Sequence, residues 1–171
     1  MALSQSVLVL YDAKGRSIAD MARAVAEGVE ASGLAEPLLI TIDRASRNDL
    51  LSADGLILGS PNWSGITGSF KQWLDDQGDL WEERALAGRP GGAFATGSGR
   101  HSGLETTLRQ LMHWMLACGM LMVGLPWTDR MRVSGSYYGA TAAGTVTEDD
   151  LAQARDLGAR LAEFTARLKS A

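Results

Sequence analysis

Apolar residues along this chain follow two alternating periods, one typical of buried strands and one typical of helices. Short, continuous apolar runs predict strands at 7–10, 37–43, 54–60 and 91–97, and "MLMVGLP" at 120–126 predicts a fifth. Runs of this kind are typical of strands that are covered on both faces, as in a parallel sheet. Trp127, at the end of the fifth run, is expected in the core.

Between these runs, apolar residues recur at helical spacing. The first helix is expected to stop at Gly33, and the helix after the fourth strand at Gly119. Thr147, with Asp150 three residues later, forms a variant of the capping box and predicts the start of the last helix. The segment between the second and third strands is short and polar, and its helical character stays open. The residues with helical spacing are Ile18, Met21, Ala22, Val25, Ala26, Val29, Phe70, Trp73, Leu74, Leu108, Leu111, Met112, Met115, Leu116, Leu157, Leu161, Phe164 and Leu168.

The alternation of strands and helices predicts an α/β fold, a doubly wound parallel sheet with helices on both faces. A single domain over residues 1–171 is expected, since a chain of this length buries about 70% of its unfolded surface. Ligands of such sheets bind beyond the carboxyl ends of the strands. Three of these ends carry glycine-rich loops, "DAKGRS", "SPNWSGITG" and "TGSGRHSG". We therefore expect one flat ligand to lie among them.

The first of these loops leads from a strand into a helix N-terminus, which is a ready site for an anion. No G-x-G-x-x-G follows the first strand, so a tightly held NAD is disfavoured. Gly97, Gly99 and Gly103 resemble that motif, but they follow the fourth strand and lack its spacing. The chain has no G-x-x-x-x-G-K-[ST] motif either, which excludes a P-loop phosphotransferase.

Charge and cysteine content narrow the class of protein further. The chain has 16 Lys and Arg against 20 Asp and Glu residues, a net charge of −4, which argues against a nucleic-acid partner and favours small molecules. Cys118 is the only cysteine, so no internal disulfide and no metal-ligand spacing is expected, and a reducing cytoplasm fits best. Two histidines cannot form a metal-ligand cluster.

Membrane association and export are not expected from the sequence. The longest uncharged run, 114–127, is shorter than the roughly 20 residues that a spanning helix needs. The N-terminus has no basic region before the first strand, so it does not resemble a secretory signal.

The sequence resembles the flavodoxin-like FMN proteins, and within them the NAD(P)H:quinone oxidoreductases related to the tryptophan-repressor-binding protein. The likeness covers nearly the whole chain and is carried by "VLVLY" with "MARAVAEG", by "GSPNWSGITGSFKQWLDDQGDLW", by "LAGRPGGAFATGSG" and by "GSYYGAT". The resemblance implies a five-stranded sheet of order 2-1-3-4-5, FMN at the strand ends, hydride transfer from NAD(P)H to quinone-like acceptors, and a homo-oligomer, dimer or tetramer. The chain is shorter than that subfamily between the second and third strands, which leaves the oligomeric state open.

The resemblance also assigns a part of the cofactor to each loop. The loop after the first strand would hold the FMN phosphate, the loop after the third would border the flavin ring, and the loop after the fourth would line its other edge. Tyr138 matches a family loop that approaches the cofactor or the neighbouring subunit. The implied cofactor-binding residues are Asp12, Ala13, Lys14, Gly15, Arg16, Ser17, Ile18, Ser60, Pro61, Asn62, Trp63, Ser64, Gly65, Thr96, Gly97, Ser98, Gly99 and Tyr138.

The phosphate loop departs from the family pattern, which is roughly [ST]-x-x-G-x-[ST]. One register places Ala13, Arg16 and Ile18 at the hydroxyl, glycine and hydroxyl positions, and a shift by one residue places Asp12, Gly15 and Ser17 there. The second register restores the glycine but sets a carboxylate beside a phosphate dianion, a repulsion that Lys14 and Arg16 could screen. Both registers remain open.

Two side chains are candidates for contact with the ring or the acceptor. His101, in the loop after the fourth strand, is the candidate catalytic residue, and the alternative is a solvated loop histidine. Trp63 is either a stacking partner for the ring or an anchor of its loop.

Three functions remain after this reading. The first is an FMN-dependent NAD(P)H oxidoreductase that acts on quinones, and the second is a one-electron carrier of the flavodoxin type. Such carriers are usually far more acidic than −4, so the charge favours the enzyme. The third is a flavodoxin-like domain that has lost FMN and acts as a binding module, an alternative that the altered phosphate loop keeps open.

Overall fold

A computed structural model describes residues 5–169 of the chain. Over these residues, six strands and six helices largely alternate, except that α3 and α4 follow one another and that only a short 3-10 turn separates β5 from β6. The strands are β1 Ser6–Tyr11, β2 Glu36–Thr41, β3 Gly55–Pro61, β4 Pro90–Gly97, β5 Leu121–Met122 and β6 Ala140–Ala143. The helices are α1 Arg16–Ala31, α2 Arg47–Ser52, α3 Gly68–Asp75, α4 Asp79–Glu82, α5 Leu104–Ala117 and α6 Glu148–Lys169, and the 3-10 turn is Asp129–Arg132.

The strands form one parallel sheet in the order β2-β1-β3-β4-β5, with β6 also paired to β4. The register places Val9 of β1 between Leu39 of β2 and Ile57 of β3. This is the order that the family resemblance implies, and it brings the carboxyl ends of β1, β3 and β4 to one edge of the sheet.

Each face of the sheet is covered by its own apolar core, because neighbouring side chains of a strand point to opposite faces. Val7 and Val9 of β1 face α1 and α6, whereas Leu8 and Leu10 face the side of α3 and α5. The first core also contains Ile57, Phe94, Met21, Val25, Leu157 and Leu161, and the second contains Leu58, Phe70, Leu74, Leu108, Leu111 and Met115. Most of the residues with helical spacing predicted from the sequence therefore lie in one of the two cores, whereas Leu116 and Leu168 are exposed.

The predicted fifth strand is wrong in its length. Only Leu121 and Met122 pair with β4, and the chain then leaves the sheet and returns beside β4 as β6. Gly124 lies against the returning segment, where a Cβ would be 2.1 Å from the Tyr137 carbonyl oxygen. Pro126 has no N–H for a ladder hydrogen bond. Residues 123–139 therefore form an insertion between two halves of the fifth strand, and this segment is called the insertion below.

Trp127 lies in the insertion and is exposed, so the expectation that it belongs to the core is wrong. The arginine side chain of Arg132 lies over its ring, 5.8 Å from the ring centre. The segment between β2 and β3, left open by the sequence, forms the six-residue helix α2. Its N-terminus is closed by a capping box of Ser46 and Asp49.

The start of α6 confirms the predicted cap. Thr147 Oγ1 accepts a hydrogen bond from the Asp150 N–H at 3.3 Å, and Asp150 Oδ2 accepts one from the Thr147 N–H at 2.8 Å. Among the described residues, no helix is both long enough and apolar enough to cross a membrane.

Candidate functional site

A cavity of about 320 Å³ opens at the carboxyl edge of the sheet, where the parallel topology brings three loops together. Its wall is formed by the loops after β1, β3 and β4 and by one residue after β6, and it is called the main cleft below. The lining residues are Lys14, Gly15, Arg16, Ser17, Ile18, Pro61, Asn62, Trp63, Thr96, Gly97, Ser98 and Gly144. All except Gly144 are among the residues that the sequence predicts.

The first wall of the main cleft is the N-terminus of α1. Gly15 is the N-cap, with φ 120°, a backbone conformation that residues with a Cβ rarely adopt. No side chain of the described residues caps this helix, its first turn holds no acidic residue, and the space where a Gly15 Cβ would stand is empty. Backbone N–H groups of a first turn attract anions. The second register, which assigns the glycine position of the family pattern to Gly15, is therefore the one that agrees with this backbone.

The carboxylate of Asp12 does not face the main cleft. Asp12 is 4% exposed, and its Oδ2 accepts hydrogen bonds from Thr67 Oγ1 at 2.5 Å and from Ser69 Oγ at 2.7 Å. Its N–H continues the sheet by donating to the Gly59 carbonyl at 3.1 Å. The carboxylate thus lies behind the loop at the start of α3. Neither Asp12 nor Ala13 lines the cleft, so the repulsion expected from the sequence is weakened by this placement.

Trp63 stands at the second wall, in a tight turn after β3. Its N–H donates to the Gly65 carbonyl at 2.8 Å, and Ser64 and Gly65 have φ values of 62° and 112°. The Trp63 side chain is 68% exposed, so it is not an anchor of its loop. Ser64 and Gly65 shape the turn without lining the cleft. Buried Ser60 supports it from below, accepting from the Thr67 N–H at 3.3 Å.

Asn62 ties the second wall to the third. Its N–H donates to the Thr96 carbonyl at 2.6 Å and its Nδ2 to the Ser102 carbonyl at 2.7 Å. Its Oδ1 accepts from the Gly65 N–H at 2.9 Å and from Thr107 Oγ1 at 3.2 Å. One amide side chain therefore sets the distance between the two loops.

The sequence analysis misses Gly144, which lines the main cleft, and Gln110, which supports one of its loops. Gly144, whose N–H donates to the Gly97 carbonyl at 2.7 Å, follows β6, and correct placement of the fifth strand would have found it. Gln110 on α5 holds the end of the Trp63 turn, because its Oε1 accepts from the Ile66 N–H at 2.8 Å. No local signal in the sequence marks a contact of that kind.

A second cavity of about 650 Å³ lies on the other side of the loop after β4, between the start of α5 and the insertion. His101 and Arg100 line it, together with Arg132 from the insertion and with Glu105. His101 thus stands beside the main cleft and not inside it. Gly99 lines neither cavity, and its carbonyl accepts from Ser102.

Tyr138 is not brought to either cavity. It lies with Thr106, Arg109 and His113 on the outer face of α5, around a separate hollow of about 540 Å³. A cofactor contact from Tyr138 within one chain therefore disagrees with this structure, whereas its contact with a neighbouring subunit stays a prediction.

Within residues 5–169, no group of three His, Cys, Asp or Glu side chains is arranged to hold a metal ion. Cys118 is buried at the C-terminal end of α5, and this burial raises the pKa of its thiol to about 11. The main cleft offers backbone N–H groups, cations and an exposed aromatic ring. That set suits the binding and orientation of a flat anionic ligand.

Comparison with known proteins agrees with this geometry. Residues 42–129 match the family described as NADPH-dependent FMN reductase. A protein named NAD(P)H dehydrogenase (quinone) from Archaeoglobus fulgidus is 40% identical over 131 residues, which cover 76% of this chain and 69% of that protein. A protein of the same name from Solidesulfovibrio magneticus is 32% identical over 202 aligned positions, which cover 96% and 100% of the two chains.

Two further relatives carry the word flavodoxin in their descriptions. A flavodoxin from Aquifex aeolicus is 35% identical over 164 residues, which cover 94% of this chain and 86% of that protein. The crystal structure of a flavodoxin, WrbA-like protein from Agrobacterium tumefaciens superposes with a TM-score of 0.79 at 26% identity, covering 96% of this chain and 99% of that one. The chain has the flavodoxin-like fold and belongs to the NADPH-dependent FMN reductase family.

Proposed function

We propose that this chain is an FMN-dependent oxidoreductase that transfers hydride from NAD(P)H through the flavin to quinone-like acceptors. The names of its relatives support this reaction. The observation that carries it is the main cleft, in which the uncapped N-terminus of α1 and the exposed ring of Trp63 stand on facing loops. A phosphate and a tricyclic ring are the two parts of a ligand that these groups suit.

The residues present fit FMN at both ends of the cleft. The first-turn N–H groups of α1 and the hydroxyl of Ser17 would hold the phosphate, and the open space at Gly15 leaves room for it. Trp63 would cover one face of the ring, and the Thr96–Ser98 backbone would border its edge. Bound FMN would supply the hydride chemistry between the nicotinamide and the acceptor.

The protein's own residues would orient the reactants and limit their exposure to water. Asn62 would keep the two ring-binding loops at a fixed distance through its hydrogen bonds. His101 and Arg100, at the rim of the 650 Å³ cavity, would donate hydrogen bonds to the acceptor or the nicotinamide nucleotide. His101 is the side chain that we propose as the catalytic contact, because it is exposed beside the cleft.

Several finer properties belong to the same proposal. We infer a single domain, a cytoplasmic protein without a nucleic-acid partner, and a homo-oligomer, dimer or tetramer. The net charge of −4 supports the lack of a nucleic-acid partner, and the free thiol of Cys118 supports a reducing cytoplasm. The exposed apolar side chains of Leu116 and Leu121, with Tyr137 and Tyr138 of the insertion, support self-association.

The test is the visible spectrum of the purified protein before and after addition of FMN, followed by stopped-flow mixing with NADPH or NADH. Bound flavin should be bleached within seconds, and benzoquinone should restore its colour. A colourless protein that does not quench FMN fluorescence at micromolar flavin would contradict the proposal and favour the binding module.

One observation favours an electron carrier as the second candidate, namely the 35% identity to a protein named flavodoxin. A carrier would bind FMN but would not be reduced by NADPH or NADH within minutes. The same stopped-flow measurement therefore separates the two functions.

A further inference from the structure

Of the described residues that line the main cleft, Lys14 is the only lysine, and its side chain is held in place by Asp12 and by Ser69 of α3. Its Nζ donates to Ser69 Oγ at 2.6 Å and lies 3.9 Å from Asp12 Oδ2. Ser69 Oγ donates its single proton to Asp12 at 2.7 Å, so its lone pairs are free to accept from Lys14. A chain of three polar groups thus runs from the buried carboxylate to the edge of the cleft.

The charges of this chain are unequally placed with respect to the cleft. Lys14 lines the cleft and is half-exposed, whereas Asp12 lies behind the loop and does not line it. The ion pair therefore presents its positive end to the N-terminus of α1. Because Lys14 is already ordered in the free protein, less side-chain entropy is lost when it meets an anion.

Arg16 also lines the cleft as a cation, but its side chain is held less firmly than that of Lys14. Its side chain is 93% exposed and lies 3.8 Å from Asp20, one turn further along α1. A fully solvated guanidinium beside a carboxylate contributes little net attraction. Lys14 is therefore the cation that the structure holds ready for the phosphate.

We propose that Lys14 is the counter-charge that makes this site select FMN over riboflavin, and that Ser69 and Asp12 are the residues that position it. The inference rests on the proposed function, because it concerns the phosphate of the same cofactor. It also gives Asp12 a role in the altered loop, where the family pattern has a hydroxyl.

The experiment measures dissociation constants of FMN and of riboflavin for the apoprotein by quenching of flavin fluorescence. Riboflavin lacks the phosphate, so it reports the ring site alone. The variants are Lys14→Gln, Lys14→Arg and Ser69→Ala. Lys71→Gln is the matched control, since Lys71 makes the same kind of surface ion pair, with Asp75, outside the main cleft.

Lys14→Gln should raise the dissociation constant of FMN about tenfold, the size of one charge-assisted hydrogen bond, and leave that of riboflavin within a factor of about two. Ser69→Ala should weaken FMN binding several-fold, and Lys14→Arg should keep most of it because the charge remains. Lys71→Gln should change neither constant. Raising the salt from about 0.05 M to about 0.5 M should weaken FMN binding more in the wild type than in Lys14→Gln.

Equal weakening of both flavins by Lys14→Gln would overturn the inference, since it would indicate general damage to the loop. An unchanged FMN constant in Lys14→Gln would overturn it alone and leave the proposed function intact. Failure of the wild type to bind either flavin would overturn both. If Lys14→Gln does not fold, the salt series on the wild type with both flavins decides, and equal salt dependence would contradict the proposal.

Discussion

Asn62 joins two loops of the main cleft with hydrogen bonds from both its backbone and its side chain. Three of these bonds are made by the side chain, to Ser102, Gly65 and Thr107. Asn62→Ala should lower the free energy of unfolding by about 1–2 kcal/mol, because the partners lose their acceptor or donor. Urea unfolding followed by circular dichroism measures this change. Asn48→Ala, at an exposed site on α2, is the control, and an equal loss there would contradict the assignment.

Asp12 gives a second test among single residues. Asp12→Ala would leave the hydroxyls of Thr67 and Ser69 without their acceptor at a buried position. We expect a loss of about 1–3 kcal/mol in the free energy of unfolding, and a smaller loss for Asp12→Asn, which keeps one carbonyl oxygen. Thermal melts of the two variants measure the difference. A melting temperature of Asp12→Ala equal to that of the wild type would contradict the prediction, since it would show that the hydroxyls find other partners.

Cys118 should be an unreactive thiol in the folded protein. Its burial raises the pKa from 9.0 to about 11, so the thiolate that attacks disulfide reagents is scarce at pH 8. Because the unfolded thiol ionises first, this group favours the folded state fully below pH 9, and the contribution is lost as the pH rises toward 11. Reaction with a chromogenic disulfide at pH 8 should be slow in buffer and fast in urea. Equal rates would contradict the burial.

The helices α1 and α6 pack so closely that each contributes a glycine to the contact. A Cβ on Gly158 would lie 2.0 Å from the Val25 carbonyl oxygen, and one on Gly28 would lie 2.0 Å from the Arg155 carbonyl oxygen. Gly158→Ala should therefore force the helices apart and lower the free energy of unfolding by about 2 kcal/mol or more. Gly68→Ala on α3, where a Cβ meets nothing, should be neutral or stabilising. Comparison of the two urea midpoints tests the packing.

The elements differ in how far the sequence predicts them. Strands β1 to β4 and helices α1, α5 and α6 follow from local periodicity, because each carries one continuous apolar stripe or run. The run of β2 is only partly buried, since this strand lies at the edge of the sheet. The fifth strand does not, since "MLMVGLP" is locally as apolar as the others. Its interruption depends on the contact of Gly124 with Tyr137, and periodicity carries no information about such a contact.

For the whole molecule, the meeting of three loops at one edge could be predicted, because parallel topology alone requires it. The hydrogen bonds that support those loops could not be predicted from the sequence. Asp12 is bound by hydroxyls 55 and 57 positions away along the chain, and Asn62 binds a carbonyl 40 positions away. The sequence also does not predict that His101 and Tyr138 line other cavities than the main cleft, because their placement depends on contacts between residues far apart in the chain.

The proposed self-association is tested at the same scale. Leu116→Glu, on the exposed face of α5, should shift the protein toward a monomer, because a buried carboxylate at an interface is costly. Leu168→Glu, a similarly exposed leucine near the end of α6, should leave the assembly unchanged. Sedimentation velocity distinguishes the two variants. A wild type that sediments as a monomer would contradict the homo-oligomer.

The interrupted fifth strand also affects how the folded protein behaves in a crowded solution. Unpaired backbone on an outermost strand is a template on which other chains can add, and short outer strands limit this growth. Here that side of the sheet offers only the two residues of β5 and the four of β6. The opposite side, β2, carries Pro37, which cannot donate to an added chain. Both edges of the native sheet are thus poor templates for the addition of strands from other chains.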